Sequence, residues 1–310
     1  MSAIKKLLVS LITGILLSSV ISIWVGNGSK KYSVHINNKF TSLFIDTAYY
    51  DILFVGSSRV HSGINPRVVD SLTQLKSFNG GMDGANMYEF KTIIDAYFAQ
   101  HPAPRYLVLG IDLFSFDIAR NLFNYTYYLP YYKNKKIDSV LRQNGHYTGI
   151  YEFVPFMRIT ELDDYTKSNA FKGFAGKTEI GPGQIEYKGF LSLENEGLDT
   201  AVITIAEEKM HVDTNAVNCL SRVIEECKKR NTRLIFSYAP EYKAMWQNKI
   251  NNAREVFDLI AAIAKKDQID FFRDDSLDLC NNPDLFYNVR HLNAKGAGIY
   301  SAIVARNIIK

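Results

Sequence analysis

The residues Ile52-Leu53-Phe54-Val55-Gly56-Ser57-Ser58-Arg59 carry an apolar strand straight into a polar turn. Four consecutive apolar residues ending at a glycine are the pattern of a strand buried on both faces, as at the centre of a parallel sheet. The signature recurs along the chain. Phe78 closes a second, weaker strand, Tyr106 to Leu109 make a third, Leu234 to Tyr238 a fourth and Ile269 to Phe272 a fifth. Between them apolar residues fall at helical spacing. Phe90, Ile93, Ile94, Tyr97 and Phe98 mark a helix from about Asn86 to Ala99, and Ala216, Leu220, Val223, Ile224 and Cys227 mark another. Val256, Phe257, Ile260 and Ala264 make the next, and Tyr300, Ile303, Val304 and Ile308 a closing one. Asn65-Pro66 caps and opens a further short helix. This alternation predicts an α/β fold, a three-layer α/β/α sandwich around a parallel sheet. Ligands in such sheets bind beyond the C-terminal strand ends, so chemistry is expected after Val55, Phe78, Leu109, Tyr238 and Phe272.

Composition narrows the function classes. With 47% hydrophobic and 22% charged residues, the chain is not disordered, collagen-like or a coiled coil. Thirty-six basic against 32 acidic residues leave a net charge of +4, spread along the chain, and no nucleic-acid footprint. Cys219, Cys227 and Cys280 lack ligand spacing, and the six histidines never pair at it. Neither a disulfide scaffold nor a metal centre is expected, and no cofactor. Gly80-Gly81-Met82-Asp83-Gly84 does not match the dinucleotide-binding spacing.

Lys5 and Lys6 precede an uncharged run from Leu7 to Ser29, apolar as far as Val25. At about 1.5 Å per residue that run spans the hydrocarbon core of a bilayer. Trp24 suits the interface. The run is longer than a signal-peptide core and lacks a small-x-small end, so residues 1–29 read as a signal anchor and transmembrane helix. Everything beyond it, residues 30–310, would be one domain on the periplasmic or extracellular side. Lys30 and Lys31 run against the positive-inside rule, and a cleaved signal peptide would export the domain equally. From about Phe114 to Asp199 the strand-helix rhythm stops. That stretch is rich in aromatics, among them Phe116, Phe123, Tyr125, Tyr128, Tyr131 and Tyr151, and is too apolar for disorder. It reads as an insertion covering the active edge of the sheet, with a cap that merely packs as the plainer reading. Lys133, Lys135 and Lys136 beside the tyrosines suit sugar stacking or contact with a membrane interface, against the default of a solvated loop.

The chemistry gathers at two strand ends. Ser58 follows a buried strand and precedes a turn into a helix, where backbone N–H groups can stabilise an oxyanion. Late in the chain, Asn288-Val289-Arg290-His291-Leu292-Asn293 places His291 in a loop and Asn293 at the N-cap of the last helix. Each feature alone is common. Together they set a hydroxyl and an imidazole on one sheet edge, the pairing in which imidazole takes the hydroxyl proton. His61, with no evident orienting partner, reads as structural. Ser237 to Glu241 is expected to line the cleft without a catalytic role.

These blocks, in this order, resemble the SGNH (GDSL-type) hydrolase superfamily, over about Asp51 to Asp112 and Thr232 to Ile309. Within it the membrane-tethered envelope branch is most similar, the branch of the alginate O-acetylation and teichoic-acid D-alanylation proteins. The resemblance implies Ser58 as nucleophile and His291 as base. It implies Gly84 as an oxyanion residue at the end of Asn79-Gly80-Gly81-Met82-Asp83-Gly84. Three positions depart from the family pattern. Ser57 replaces the first-block aspartate. Asp112 stands where an oxyanion-donating Asn is usual, so the oxyanion would rest on the Ser58 and Gly84 N–H groups, helped by Asn86. Asn288 replaces the aspartate that orients the histidine, with Asp284 as a substitute at unusual spacing. The implied activity is that of a serine esterase or O-acyltransferase on acyl esters of an envelope glycan. The alternative is an inactive subunit that binds polysaccharide or partners a membrane-bound acyltransferase.

Overall fold

Five parallel strands form the central sheet: β1 (Ile52–Val55), β2 (Ser77–Asn79), β3 (Tyr106–Gly110), β4 (Arg233–Tyr238) and β5 (Asp270–Arg273), in the order β2-β1-β3-β4-β5. In this computed structural model the residues described are 2–31, 35–117, 122, 125–162, 164–177, 186–194, 197–198 and 205–309. Every residue of β1 is buried, since its edges pair with β2 through Leu53 opposite Phe78 and with β3 through Leu53 opposite Leu107, and helices pack on its faces. That two-sided burial is why the strand is apolar without alternation. Ile52, Phe54, Val108 and Ile235 face a core shared with Val69 of the helix Pro66–Thr73 and with Tyr300, Val304 and Ile308 of the helix Ala294–Ile308. The helices Met87–Gln100 and Thr214–Lys229 pack against each other, burying Phe90, Ile93 and Ile94 of the first and Leu220, Val223 and Cys227 of the second. The α/β sandwich read from the sequence is the fold of the chain.

The strand order turns back on itself between β1 and β3, which puts the crevice of the sheet at their C-terminal ends. Gly56 and Gly110 stand at those ends, and a Cβ on either would meet Val60 Cγ2 at 2.3 and 2.2 Å. Two glycines let the first turn of the helix Ser58–His61 settle directly on the sheet.

The chain divides into two compact units, Met1–Ile45 with Asn124–Glu179, and Asp46–Phe123 with Ile180–Lys310. The sheet belongs to the second. In the first, the helix Ala3–Lys31 exposes Leu7, Leu8, Leu11 and Leu16 and buries Ser22, Val25, Gly26, Gly28 and Ser29. It is the one helix among the described residues long and apolar enough to cross a membrane. The stretch expected to lack regular structure holds the helices Lys135–Gln143, Ile150–Phe153, Phe156–Glu161 and Asp164–Phe174, and a hairpin of Glu186–Tyr187 and Phe190–Leu191. These were illegible because each is short. Lys135–Gln143 buries only Ile137 and Leu141, one i,i+4 pair, too little to establish a period. Phe123 lies outside the described residues.

Just beyond β5, the buried Asp274 accepts a hydrogen bond from the Tyr300 hydroxyl at 3.1 Å. Burial pushes its carboxyl up to about 6, although the tyrosine bond opposes the shift. The folded state therefore holds this proton more tightly than the unfolded chain, and stability falls as pH rises from about 4 through 6. Asp274→Asn should raise the urea midpoint at pH 7.5 and leave it unchanged near pH 4. An equal shift at both pH values would mean that charge burial is not the cause.

Candidate active site

Ser58 opens a four-residue helix, Ser58–His61, whose N-cap is Ser57. The Ser57 hydroxyl accepts from the Arg59 N–H at 3.2 Å and donates to Asp112 Oδ2 at 2.5 Å. At the other end of the chain, Phe286–Asn288 and His291–Leu292 form a tight antiparallel hairpin with Asn288 opposite His291. His291 thus starts a two-residue strand and is not in a loop. Asn293 caps the last helix through Gly296 N–H, as its position suggested.

The hairpin brings His291 Nε2 to 2.8 Å from Ser58 Oγ, although 233 positions separate the two residues. On the far side of the ring, Nδ1 lies 2.9 Å from Asn288 Oδ1. That oxygen also accepts the backbone N–H groups of Arg290 at 2.9 Å and His291 at 3.0 Å. Two backbone donors identify it as the carbonyl and exclude a flipped amide. Nδ1 must then donate, and a neutral ring turns its Nε2 lone pair toward the serine. Burial, reinforced by the Arg59 charge, lowers the imidazole pKa to about 4, so the ring is neutral at pH 7. Asn288, and not Asp284, is the residue that faces the imidazole. Asp284 is exposed, with its backbone N–H on Asn282 Oδ1 and its carbonyl on Asn293 Nδ2.

Asp112 is taken up by other partners where the family pattern has an oxyanion donor. Asp112 is buried, with Oδ1 2.6 Å from Arg59 Nη1 and Oδ2 on Ser57. It is a partner of the arginine beneath Ser58 and offers nothing to an oxyanion. Asn86 spends its side-chain carbonyl capping the helix Met87–Gln100, accepting from Tyr88 and Glu89 N–H. Gly84 adopts the left-handed φ of 71° in the exposed turn that carries Asp83. Neither its N–H nor that of Ser58 meets a protein acceptor among the described residues.

Ser58, Asn288 and His291 open into a cleft of about 320 Å³ lined also by His61, Ser62, Asp83, Tyr287, Leu191 and Leu193. His61 has the orienting partner its sequence position did not reveal, since its Nδ1 lies 2.8 Å from Asp83 Oδ1. Leu191 and Leu193 come from the tail of the aromatic-rich stretch, which reaches this edge through one strap. Lys188 O accepts from Asn79 N–H at 2.9 Å, Lys188 Nζ pairs with Asp70 at 2.6 Å, and Leu193 O accepts from Ala294 N–H at 2.9 Å. Nothing in the sequence of a two-residue hairpin advertises a cleft wall. The Ser237–Glu241 stretch, expected in the cleft, lies beneath it. Ala239 and Pro240 carbonyls accept from Arg59, and Glu241 pairs with the same guanidinium.

No protein-family model matches the chain, and no curated protein does. Solved structures do. A protein from Desulfitobacterium hafniense assigned to the lipolytic G-D-S-L family shares 10% identity at a TM-score of 0.42, covering 83% of this chain and 99% of that one. The lipase/acylhydrolase of Enterococcus faecalis shares 10% at 0.41, covering 84% and 95%. A Bacteroides fragilis protein assigned as an acylhydrolase shares 9% at 0.41, covering 88% and 97%. At such identity these are likenesses of chain path, and the chemistry is carried by the residues of this chain.

Proposed function

We propose that the protein is a membrane-anchored serine acyl-esterase or O-acyltransferase of the SGNH type, acting on acyl esters of a cell-envelope glycan. One observation carries the reading: a serine hydroxyl 2.8 Å from the Nε2 of a neutral imidazole whose Nδ1 is held on a fixed carbonyl. In this mechanism Ser58 Oγ attacks the acyl carbon while His291 Nε2 takes its proton. The tetrahedral oxyanion forms against the N–H groups of Ser58 and Gly84. Its collapse expels the sugar oxygen, which leaves with the proton from His291, and the acyl group stays on Ser58. Water or an acceptor hydroxyl, deprotonated by His291, then releases the acid or a new ester. Leu191 and Leu193 suit a short acyl chain, and Asp83, Tyr287 and Ser62 suit a hydroxyl-rich alcohol. An inactive binding subunit has no use for a polarised serine. A membrane-bound acyltransferase remains the natural partner for the transferase form, with the helix Ala3–Lys31 holding both on one membrane. The full chain should hydrolyse p-nitrophenyl acetate and take up a serine-directed fluorophosphonate on Ser58. Failure of both at pH 7.5 would overturn the enzyme reading.

The lowered imidazole pKa adds a pH signature. Deprotonated His291 is the active form, so kcat/KM should stay level down to about pH 5 and fall only near pH 4. Folding stability follows the same sign, lost as pH drops from about 6.5 toward 4, because the unfolded chain binds that proton more tightly. Asn288→Asp sets a carboxylate beside Nδ1 and should raise the histidine pKa, shifting the acid limb upward and lifting the plateau. A plateau that drops while the limb stays put would count against His291 as the base.

A further inference from the structure

Where the helix Ala3–Lys31 passes from exposed to buried, its own unit gathers rings and cations around an open groove of about 620 Å³. Val20, Ile23, Trp24 and Phe174 line its apolar end, and Asn27, Lys30 and Lys31 its polar end. The apolar end is firmly built. Trp24 stacks on Phe174 with centroids 4.7 Å apart and meets Phe171 edge-on at 4.8 Å. The polar end is cationic. Lys30 sits over the Tyr131 ring at 5.6 Å and Lys31 over the Phe174 ring at 5.1 Å, and neither pairs with a carboxylate among the described residues. The charged groups that bear on Lys30 are Arg158 and Lys133, both positive. Arg158 is buried, and its Nη2 donates to the Ser22 carbonyl at 2.6 Å and hydroxyl at 2.8 Å, with no carboxylate in ion-pair contact among the described residues. Like charges drawn together in a half-buried site repel unless an anion joins them. The same unit leaves Phe153 79% and Phe171 65% exposed, with Phe156 and Met157 exposed beside them. Exposed rings at the end of an apolar helix are the pattern of a membrane-interface belt.

We propose that this groove seats an anionic phospholipid, with an acyl chain along Val20, Ile23 and Phe174 and the headgroup between Lys30 and Lys31. The inference rests on Ala3–Lys31 being the anchor. Charge complementarity selects the headgroup, and continuity with the exposed apolar face of the helix selects a lipid over a second copy of the chain.

Trp24 forms the groove wall, and the only other tryptophan, Trp246, is buried at 1% exposure in the other unit. Brominated lipids quench tryptophan on contact, so the full chain in phosphatidylcholine vesicles can be titrated with brominated phosphatidylglycerol or brominated phosphatidylcholine. Trp24 should prefer the anionic lipid by about fivefold per lysine. Trp24→Phe should remove the quenching. Lys30→Gln with Lys31→Gln should abolish the preference, and Lys30→Arg with Lys31→Arg should keep it, which separates charge from folding. The preference should survive excess inorganic phosphate, and its loss there would mean a free-phosphate site instead. Equal quenching by both lipids overturns the headgroup assignment alone. No quenching by either overturns the lipid site, and overturns the anchor reading with it where the chain also fails to sediment with the vesicles. Neither result touches the esterase assay, and Ser58→Ala should behave as wild type throughout.

Discussion

Replacing Ser58 by alanine lowers turnover of p-nitrophenyl acetate by about 10³-fold or more, leaving only the residual rate that substrate binding and the oxyanion donors sustain. Among the described residues the hydroxyl is the one partner of His291 Nε2, at 2.8 Å, so its loss leaves the imidazole nothing to deprotonate but water. Stability should hardly change. The Ser58 carbonyl keeps its bonds from Ser62 N–H and Ser62 Oγ, both at 2.9 Å, and the strand-end geometry depends on Ser57, Gly56 and Val60 instead. Alanine is a good helix former at the first position of Ser58–His61, so the urea midpoint should move by less than about 0.5 kcal/mol in stability. Fluorophosphonate labelling should vanish in the same variant. Equal hydrolysis by wild type and Ser58→Ala, both folded, would mean that another nucleophile or background hydrolysis supplies the rate.

Legibility in this sequence follows burial. β1 and β3 are read from Ile52–Val55 and Tyr106–Leu109 because a strand buried on both faces must be apolar throughout, whatever its neighbours are. Ser58 and His291 are local signals of the same kind, a serine after a strand and a histidine before a capped helix, whereas Asn288 stands out only through the family resemblance, with Asp284 as its alternative. The partners of Asp112 are illegible for the opposite reason. The meaning of Asp112 depends on Arg59, 53 positions earlier, and on packing that brings a guanidinium under the strand ends. No period or spacing encodes such a charge pair. His61 with Asp83, and Leu191 and Leu193 in the cleft wall, were missed likewise, since each contact joins segments through the fold and not along the chain.

Arg59, the residue after Ser58, should be the most costly side chain near the site to lose. It is only 3% exposed, with Nη1 2.6 Å from Asp112 and 3.3 Å from Glu241. Nη2 donates to the carbonyls of Ala239 and Pro240, and the guanidinium lies over the Tyr238 ring at 4.4 Å. Burial works against its charge, yet Asp112, Tyr238 and Glu241 outweigh it, and the pKa is raised above the ordinary arginine value. Arg59→Met keeps the volume but strands two buried carboxylates, at a cost of about 3–5 kcal/mol. Arg59→Lys should recover only part of this, since an ammonium cannot serve two carboxylates and two carbonyls in one plane. Asp112 also holds Ser57, the cap on which the Ser58 turn depends, so esterase activity should fall with stability. The pH dependence identifies the cause. Stranded carboxylates take up protons more readily in the folded state than in the unfolded one, so the deficit of Arg59→Met should shrink as pH falls from about 7.5 to 5. Urea unfolding of wild type and variant at both pH values reads this directly. A deficit that is small, or the same at both, would mean that Arg59 acts by packing alone and that the buried ion pairs do not secure the turn carrying Ser58.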